Sequence, residues 1–219
     1  MLVAAMHANN ELGTVTRASE VAEIAHNVGA LYFCDAVQTF PWCGDKRWVV
    51  DDLGADLVAV SAHKLGGPKG VGALYVRSGT PIKPLMLGGG QEREMRAGTE
   101  NVAAIVGFAA AVQASLHDPG QAERKARARD AFRRALIEQE TPKLDMLPDG
   151  IEVLPGHLHV RFEGVSAESL LILLDRMGVA ASAGAACSSG SIEPSHVLLE
   201  CGWAEAAKEG VRFTFGDAT

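Results

Sequence analysis

The sequence predicts an α/β protein: a mainly parallel sheet in the first part of the chain and a small second α/β layer toward its end. Three observations carry this reading. Short apolar runs alternate with a helical pattern from Met1 to Val76, as layered α/β sheets require. The length of 219 residues suits one large domain or two modest ones. A turn cluster, His117-Asp118-Pro119-Gly120, separates the long run Asn101 to Leu116 from a basic stretch that follows. We place a domain boundary there, with residues 1–118 forming the larger domain and 119–219 the smaller.

Met1 to Met6 is the first strand. Val21, Ile24, Ala25 and Val28 fall at i, i+3, i+4 and i+7, which predicts a helix with that stripe turned to the core, Ser19 as its cap and Gly29 as its stop. Ala30 to Cys34, Leu57 to Val60 and Val71 to Val76 read as further strands. The β-α-β order predicts parallel pairing of the first two. Past the boundary, Arg124 to Arg134 reads as a solvated helix face. His157 to Phe162 is a strand, and Ser166 to Met177 a helix that turns Leu170, Leu171, Leu174 and Met177 to the core before stopping at Gly178. Val179 to Ser182 and Val211 to Phe215 are expected as strands, with a helix from Pro194 to Cys201 between them.

Composition narrows the function. Hydrophobic residues make up 47% and charged residues 21%, with a mean hydropathy of +0.09, so disordered and fibrous classes are excluded. Lys and Arg total 20 against 27 Asp and Glu, a net charge of −7 that provides no footprint for a phosphate backbone and argues against direct nucleic-acid binding. The four cysteines, Cys34, Cys43, Cys187 and Cys201, form no C-x-x-C pair and fit a reducing cytoplasm. The apolar start, Met1 to Met6, is too short for a signal or a membrane span, so no membrane role is expected.

Three polar clusters follow directly on predicted strands: Asn9-Asn10-Glu11, Asp35-Ala36-Val37-Gln38 and Ser61-Ala62-His63-Lys64. Open parallel sheets bind ligands outside the carboxyl ends of their strands, so the three are expected to converge on one pocket. Lys64, between an apolar strand and Gly66-Gly67-Pro68, is expected to point inward. A lysine in a dry pocket forms an imine with a carbonyl, which is how pyridoxal phosphate is held, and Asp35 is the candidate carboxylate for its pyridinium nitrogen. A nucleotide P-loop is excluded, because the glycines follow the lysine. Cys187 lies in a run of small residues from Ala181 to Ser191 that suits a loop, and reactivity is the reason to place a thiol there. A metal site is disfavoured, since no partner Cys or His stands at ligand spacing. Cys34 and Cys201 are expected to be packed, and Cys43 stays open.

The stretches His7-Ala8-Asn9-Asn10-Glu11-Leu12-Gly13, Asp35 to Gln38, Ser61 to Lys64 with Gly66 to Gly70, Gly88 to Glu92 with Arg96 to Asn101, and Ala185 to Gly190 together resemble the cysteine desulfurases of the NifS and IscS type. These belong to the class V aminotransferase group of fold type I pyridoxal phosphate (PLP) enzymes. The resemblance runs in order through nearly the whole chain. It implies that Lys64 holds the cofactor covalently, that Asp35 pairs with the pyridine nitrogen, and that Gln38 meets the phenolic oxygen. It also implies that Ser61 and His63 hold the phosphate, and that Thr99 reaches the phosphate in the partner subunit of a homodimer. Asn10 and Arg212 would meet the substrate carboxylate. Cys187 would take the sulfur of L-cysteine as a persulfide, leave alanine, and pass the sulfur to an acceptor such as an iron-sulfur scaffold protein.

Family members carry a long segment before the Asn-Asn strand, with a phosphate-binding turn and a histidine that stacks on the cofactor. His7 and His26 do not match that histidine. The chain is therefore expected to be an N-terminally truncated fragment, poorly soluble or only loosely folded alone and with little or no desulfurase activity. Two other readings stand beside desulfuration: a related PLP enzyme such as a selenocysteine lyase, and a non-catalytic remnant serving as an interaction module.

Overall fold

The computed structural model describes residues 1–43, 46–139, 143–184, 195–204 and 206–216. These form two compact units: Met1–His7 with Thr16–Pro119, and Ala8–Val15 with Gly120–Thr219. In chain order the first unit holds β1 (Leu2–Met6), α1 (Ala18–Asn27), β2 (Leu31–Asp35), a two-residue ribbon of β3 (Trp42–Cys43) and β4 (Lys46–Arg47), α2 (Val50–Leu53), β5 (Leu57–Ser61), β6 (Gly72–Val76) and α3 (Val102–Leu116). The second holds α4 (Gln121–Glu138), β7 (Leu144–Met146), β8 (His157–Phe162), α5 (Ala167–Arg176), α6 (His196–Glu200), α7 (Ala206–Glu209) and β9 (Gly210–Thr214).

The sheet of the first unit runs β1-β2-β5-β6, parallel through β5 and antiparallel at β6. Tyr32 and Cys34, two apart on β2, are fully buried in one core with Trp48, Leu53 and Val58. α1 covers this core with Ala18, Ala22 and Ala25, whereas Ile24 and Val28 are 68% and 67% exposed. The expected Ile24/Val28 stripe is thus corrected, since a face of bare methyl groups lets the helix lie closer to the sheet. Ser19 sits inside the helix rather than capping it, and Arg17 holds the N-cap position. Gly29 ends α1 as expected: at φ +69° its amide reaches His26 O while the Ala30 amide reaches Ala25 O, a Schellman pair.

One carboxylate ties the amino-terminal edge of this sheet together. Asp56, 7% exposed, accepts from the Tyr32 amide at 2.8 Å and lies 2.9 Å from His26 Nε2 and 3.6 Å from Arg77 Nε, joining β2, α1 and the end of β6. Burial alone would raise its pKa, but the Tyr32 amide, His26 and Arg77 outweigh it and hold the carboxyl below its ordinary value.

The second unit is an antiparallel sheet, β7-β8-β9. Leu158 and Val160 on β8 face Phe213 and Val211 on β9, and this face packs against Phe132 and Leu136 of α4 and Leu170, Leu171 and Leu174 of α5. The alternate residues, His157, His159 and Arg161, belong to the opposite face with Arg212. Arg124 to Arg134 lies on a helix as expected, though Phe132 within it turns to the core. Ser166 caps α5, its hydroxyl accepting from the Ser169 amide, and Ser195 caps α6 by accepting from Leu198.

Three expectations here are corrected. Met177 is 79% exposed, because it stands at the C-cap after the last core-facing turn. Val179 to Ser182 pairs with β9 only through a single bridge, Ser182 to Arg212. Cys201, past the end of α6, is exposed, while Cys34 is buried as expected and its thiol is pushed up by that burial. Among the described residues no helix is long and apolar enough to cross a membrane.

Replacing Asp56 by Asn is expected to cost about 1–3 kcal/mol by urea unfolding at pH 7, the usual loss when a buried charged acceptor is weakened. Because the native carboxyl titrates below its unfolded value, its contribution is complete above about pH 4 and lost as the pH falls through the native pKa. The Asp56→Asn variant should lose less stability than wild type between pH 5 and pH 2.

Candidate active site

The parallel register places Met6, Asp35 and Ser61 at the same edge of the first sheet, with Met6 opposite Asp35 and Asp35 opposite Ala59. Asp35, half-buried, turns one carboxylate oxygen back to accept from the Val37 amide at 3.0 Å, so the chain bends immediately after the strand. Gln38 lies in that bend, whose amides at Thr39 and Phe40 both return to Ala36 O.

The bend is held by residues that sequence reasoning had not assigned. Thr39, 1% exposed, donates its hydroxyl hydrogen to Ala36 O, and therefore accepts from Nδ1 of buried His7 at 2.9 Å. Trp48 donates its indole N–H to Thr39 O and meets His7 edge-on. The one available signal was the place of His7 at the end of the first strand, beside the polar cluster.

At the end of β5 a single 3₁₀ turn, Ala62–Leu65, carries the next group. Ala62 is buried, whereas His63 and Lys64 are exposed. A three-residue turn stacks positions i and i+3, so the inward places go to Ala62 and Leu65. The expectation that Lys64 points inward is corrected accordingly. Ser61 Oγ and His63 Nδ1 lie 2.6 Å apart, making a hydroxyl–imidazole pair beside the lysine. The glycine-rich stretch fixes this turn against α3: a Cβ on Gly67 would stand 3.0 Å from Ala62 O and 3.2 Å from the Ala111 methyl, and one on Gly107 would strike Pro68 at 2.6 Å. Thr99 is exposed beside Gly98 in the same unit, before Asn101 caps α3 by accepting from the Ala104 amide.

In the second unit, the turn Asn9–Leu12 is a crossroads. Asn9 Oδ1 accepts from the Glu11 and Leu12 amides, and Arg212 Nη1 donates to Asn10 O at 2.6 Å. Buried Glu11 accepts from Ser195 Oγ at 2.5 Å. Asn10 and Arg212, 202 residues apart in sequence, are thus brought together. The Asn9-Asn10-Glu11 cluster belongs to this unit, and Asp35 and Ser61 to Lys64 to the other. Cys187 lies outside the described residues, and nothing is described of the Cys43 side chain.

His159, directly across from Arg212 on β8, is 2% exposed, and its pKa is pulled down to about 4 by burial first and by the Arg212 charge second, against a smaller opposing effect of Asp145.

The class-V aminotransferase family matches the sequence over residues 1–219. The chain belongs to that family. Its members depend on PLP, and the donor set at the first sheet's edge suits that group: an amine, a carboxylate and a hydroxyl–imidazole pair on adjacent strand ends. The chain is 44% identical over 218 residues to the cysteine desulfurase IscS of Dictyoglomus turgidum, covering 99% of this chain and 54% of that protein. Among solved structures, the NifS-like protein from Rickettsia africae matches with a TM-score of 0.88 at 29% identity, covering all of this chain and 57% of the other. SspA in complex with cysteine matches with a TM-score of 0.77 at 32% identity, covering 98% and 58%. The chain therefore spans about half the length of the relatives it matches. This class-V chain is homologous to cysteine desulfurases, and its α/β architecture is that of NifS-like PLP enzymes.

Because native His159 is neutral below the ordinary histidine range, its contribution to stability is complete above about pH 6.5 and lost as the pH falls toward 4. Unfolding free energy measured by urea denaturation should fall across that window by up to about 3 kcal/mol, and His159→Asn should flatten the fall.

Proposed function

We propose that this chain forms part of a PLP-dependent cysteine desulfurase that converts L-cysteine to L-alanine. The observation that supports this most directly is the placing of Lys64 and the Ser61–His63 pair at the end of β5, beside Asp35 at the end of the adjacent β2. In this reading Lys64 holds the cofactor covalently and moves the proton at the substrate Cα. Asp35 pairs with the pyridine nitrogen and Gln38 with the phenolic oxygen. Ser61 and His63 hold the phosphate, and Thr99 serves the phosphate in the partner subunit of a homodimer. When bound, the cofactor supplies an electron sink for the charge left at Cα.

Arg212 pairs with the substrate carboxylate, with Asn10 beside it. The Cys187 thiolate attacks the substrate sulfur. The carbon–sulfur bond breaks toward carbon, the sulfur stays on Cys187 as a persulfide, and protonation of the carbon skeleton gives L-alanine. The solved complex of the related SspA with cysteine supports this substrate class. A thiol set in a run of small residues favours desulfuration over transamination, which has no use for one. The persulfide then passes to an acceptor, an iron-sulfur scaffold protein being the proposed kind, in the cytoplasm. Residues 1–118 are assigned to the cofactor-binding domain and 119–219 to the smaller domain bearing Cys187.

Borohydride reduction of the cofactor-loaded enzyme, followed by peptide mapping, should fix the cofactor to the Lys64 peptide; attachment at Lys69 or Lys83 contradicts the assignment. Cys187→Ala should retain the cofactor and lose persulfide formation by at least about a hundredfold, read by mass spectrometry after addition of L-cysteine.

A further inference from the structure

Glu11 has no part in the reading above, yet it is only 1% exposed. A carboxyl group that deep is costly, and an apolar residue of similar size would often pack there as well or better. Its turn is fixed locally, since the Glu11 and Leu12 amides both donate to Asn9 Oδ1. Its partner is 184 residues away in sequence: Ser195 Oγ donates to Glu11 Oε2 at 2.5 Å and accepts from the Leu198 amide at 3.2 Å. One hydroxyl thus joins the buried carboxylate to the first turn of α6.

Ser195 is where the chain returns from residues 185–194, which include Cys187 and lie outside the described residues. The point of departure is close by. A Cβ on Gly184, whose φ is +60°, would stand 3.6 Å from Glu11 Oε2 and 3.6 Å from Ser195 Cβ, so both ends meet at this carboxylate. The departing side is held by main chain, since the Ser182 and Arg212 backbones exchange both amide hydrogen bonds, at 3.1 and 2.7 Å. The returning side has the Ser195 hydroxyl on Glu11. Asn10, next in the turn, gives its carbonyl to Arg212. A single turn therefore touches the proposed carboxylate-binding residue and both ends of the stretch that carries the proposed nucleophile.

We propose that Glu11 is a positioning residue for persulfide formation: by fastening Ser195 it ties down the returning end of the chain that tethers Cys187, beside the turn that carries Asn10. The inference rests on the reading of Cys187 as the sulfur acceptor. A thiol tethered from both sides samples a smaller volume than one tethered from a single side, and its effective concentration at a bound substrate is higher. Glu11 acts here through Ser195, so it bears on the step that uses the thiol and not on the steps before it.

The test separates those steps in the cofactor-loaded enzyme. Persulfide formation on Cys187 is read by mass spectrometry in a single turnover of L-cysteine, and exchange of the L-alanine α-proton with solvent, which needs no thiol, is read by NMR. Glu11→Met, of similar length but without an acceptor, should slow persulfide formation about tenfold and change α-proton exchange less than about twofold. Glu11→Gln, which keeps an acceptor oxygen for Ser195, should recover most of the loss. Ser195→Ala should match Glu11→Met, and the double variant should be no slower than Ser195→Ala alone. Equal slowing of both reactions, slowing of neither, or additive losses in the double variant overturn the proposal. Hydrogen exchange of the cofactor-free protein gives an independent reading: Glu11→Met should speed exchange across residues 195–201 at least about fivefold while β8 and α5 stay unchanged. Uniform acceleration, or none, also overturns it. If Cys187→Ala still forms an enzyme persulfide, the reading of Cys187 is what fails. If Cys187→Ala abolishes the persulfide and Glu11→Met does not slow it, only the role of Glu11 fails.

Discussion

The parallel register of β1, β2 and β5 is the constraint on which the first unit depends. Once Met6 pairs with Asp35 and Asp35 with Ala59, the three strands end at one edge, and the turns that follow β2 and β5 are delivered there. The opposite edge is fastened by the buried Asp56 carboxylate, which takes the Tyr32 amide and lies beside His26 and Arg77. Strand order and edge anchoring thus come from apolar burial and one charged acceptor, with no catalytic side chain involved. The groups proposed to react, such as exposed Lys64, are free to be polar because the sheet does not need them for stability.

The turns that carry those groups are built with little freedom. The bend after Asp35 is locked by Thr39, His7 and Trp48, and the turn bearing Lys64 is pinned where Gly67 and Gly107 allow loop and helix to touch. The antiparallel sheet of the second unit works differently. One face of β8 and β9 is closed by the side chains of α4 and α5, while the other brings His159 and Arg212 together. A strand's two-residue period is enough to give one element both tasks.

Much of this was legible in the sequence. β1, β2 and β5 could be read from apolar runs and the polar clusters from their positions after those runs, since parallel strands covered on both faces produce such runs, whereas β8 could be read from alternating apolar residues, as a strand with one face on the core requires. The inward stripe of α1 was legible only in part: Val21 and Ala25 do meet the core, but hydrophobicity alone favours Ile24 and Val28 over the smaller Ala18 and Ala22 that the close helix–sheet contact selects. The direction of Lys64 depends on a 3₁₀ turn that no periodicity announces. The pairing of His159 with Arg212, like the Glu11–Ser195 contact, joins residues far apart in sequence through strand register and turn geometry, and single residue types carry no mark of it. The family resemblance supplied roles for residues that local patterning could place only at strand ends.

Lys64, at the end of β5 beside the adjacent strand end that carries Asp35, is the residue proposed to capture the cofactor. The most direct measurement is the visible absorption of the purified enzyme on titration with pyridoxal phosphate, compared with its Lys64→Ala and Lys69→Ala variants. The account predicts a saturable visible band in the wild type and in Lys69→Ala, and its loss in Lys64→Ala. A band of undiminished amplitude in Lys64→Ala would contradict it.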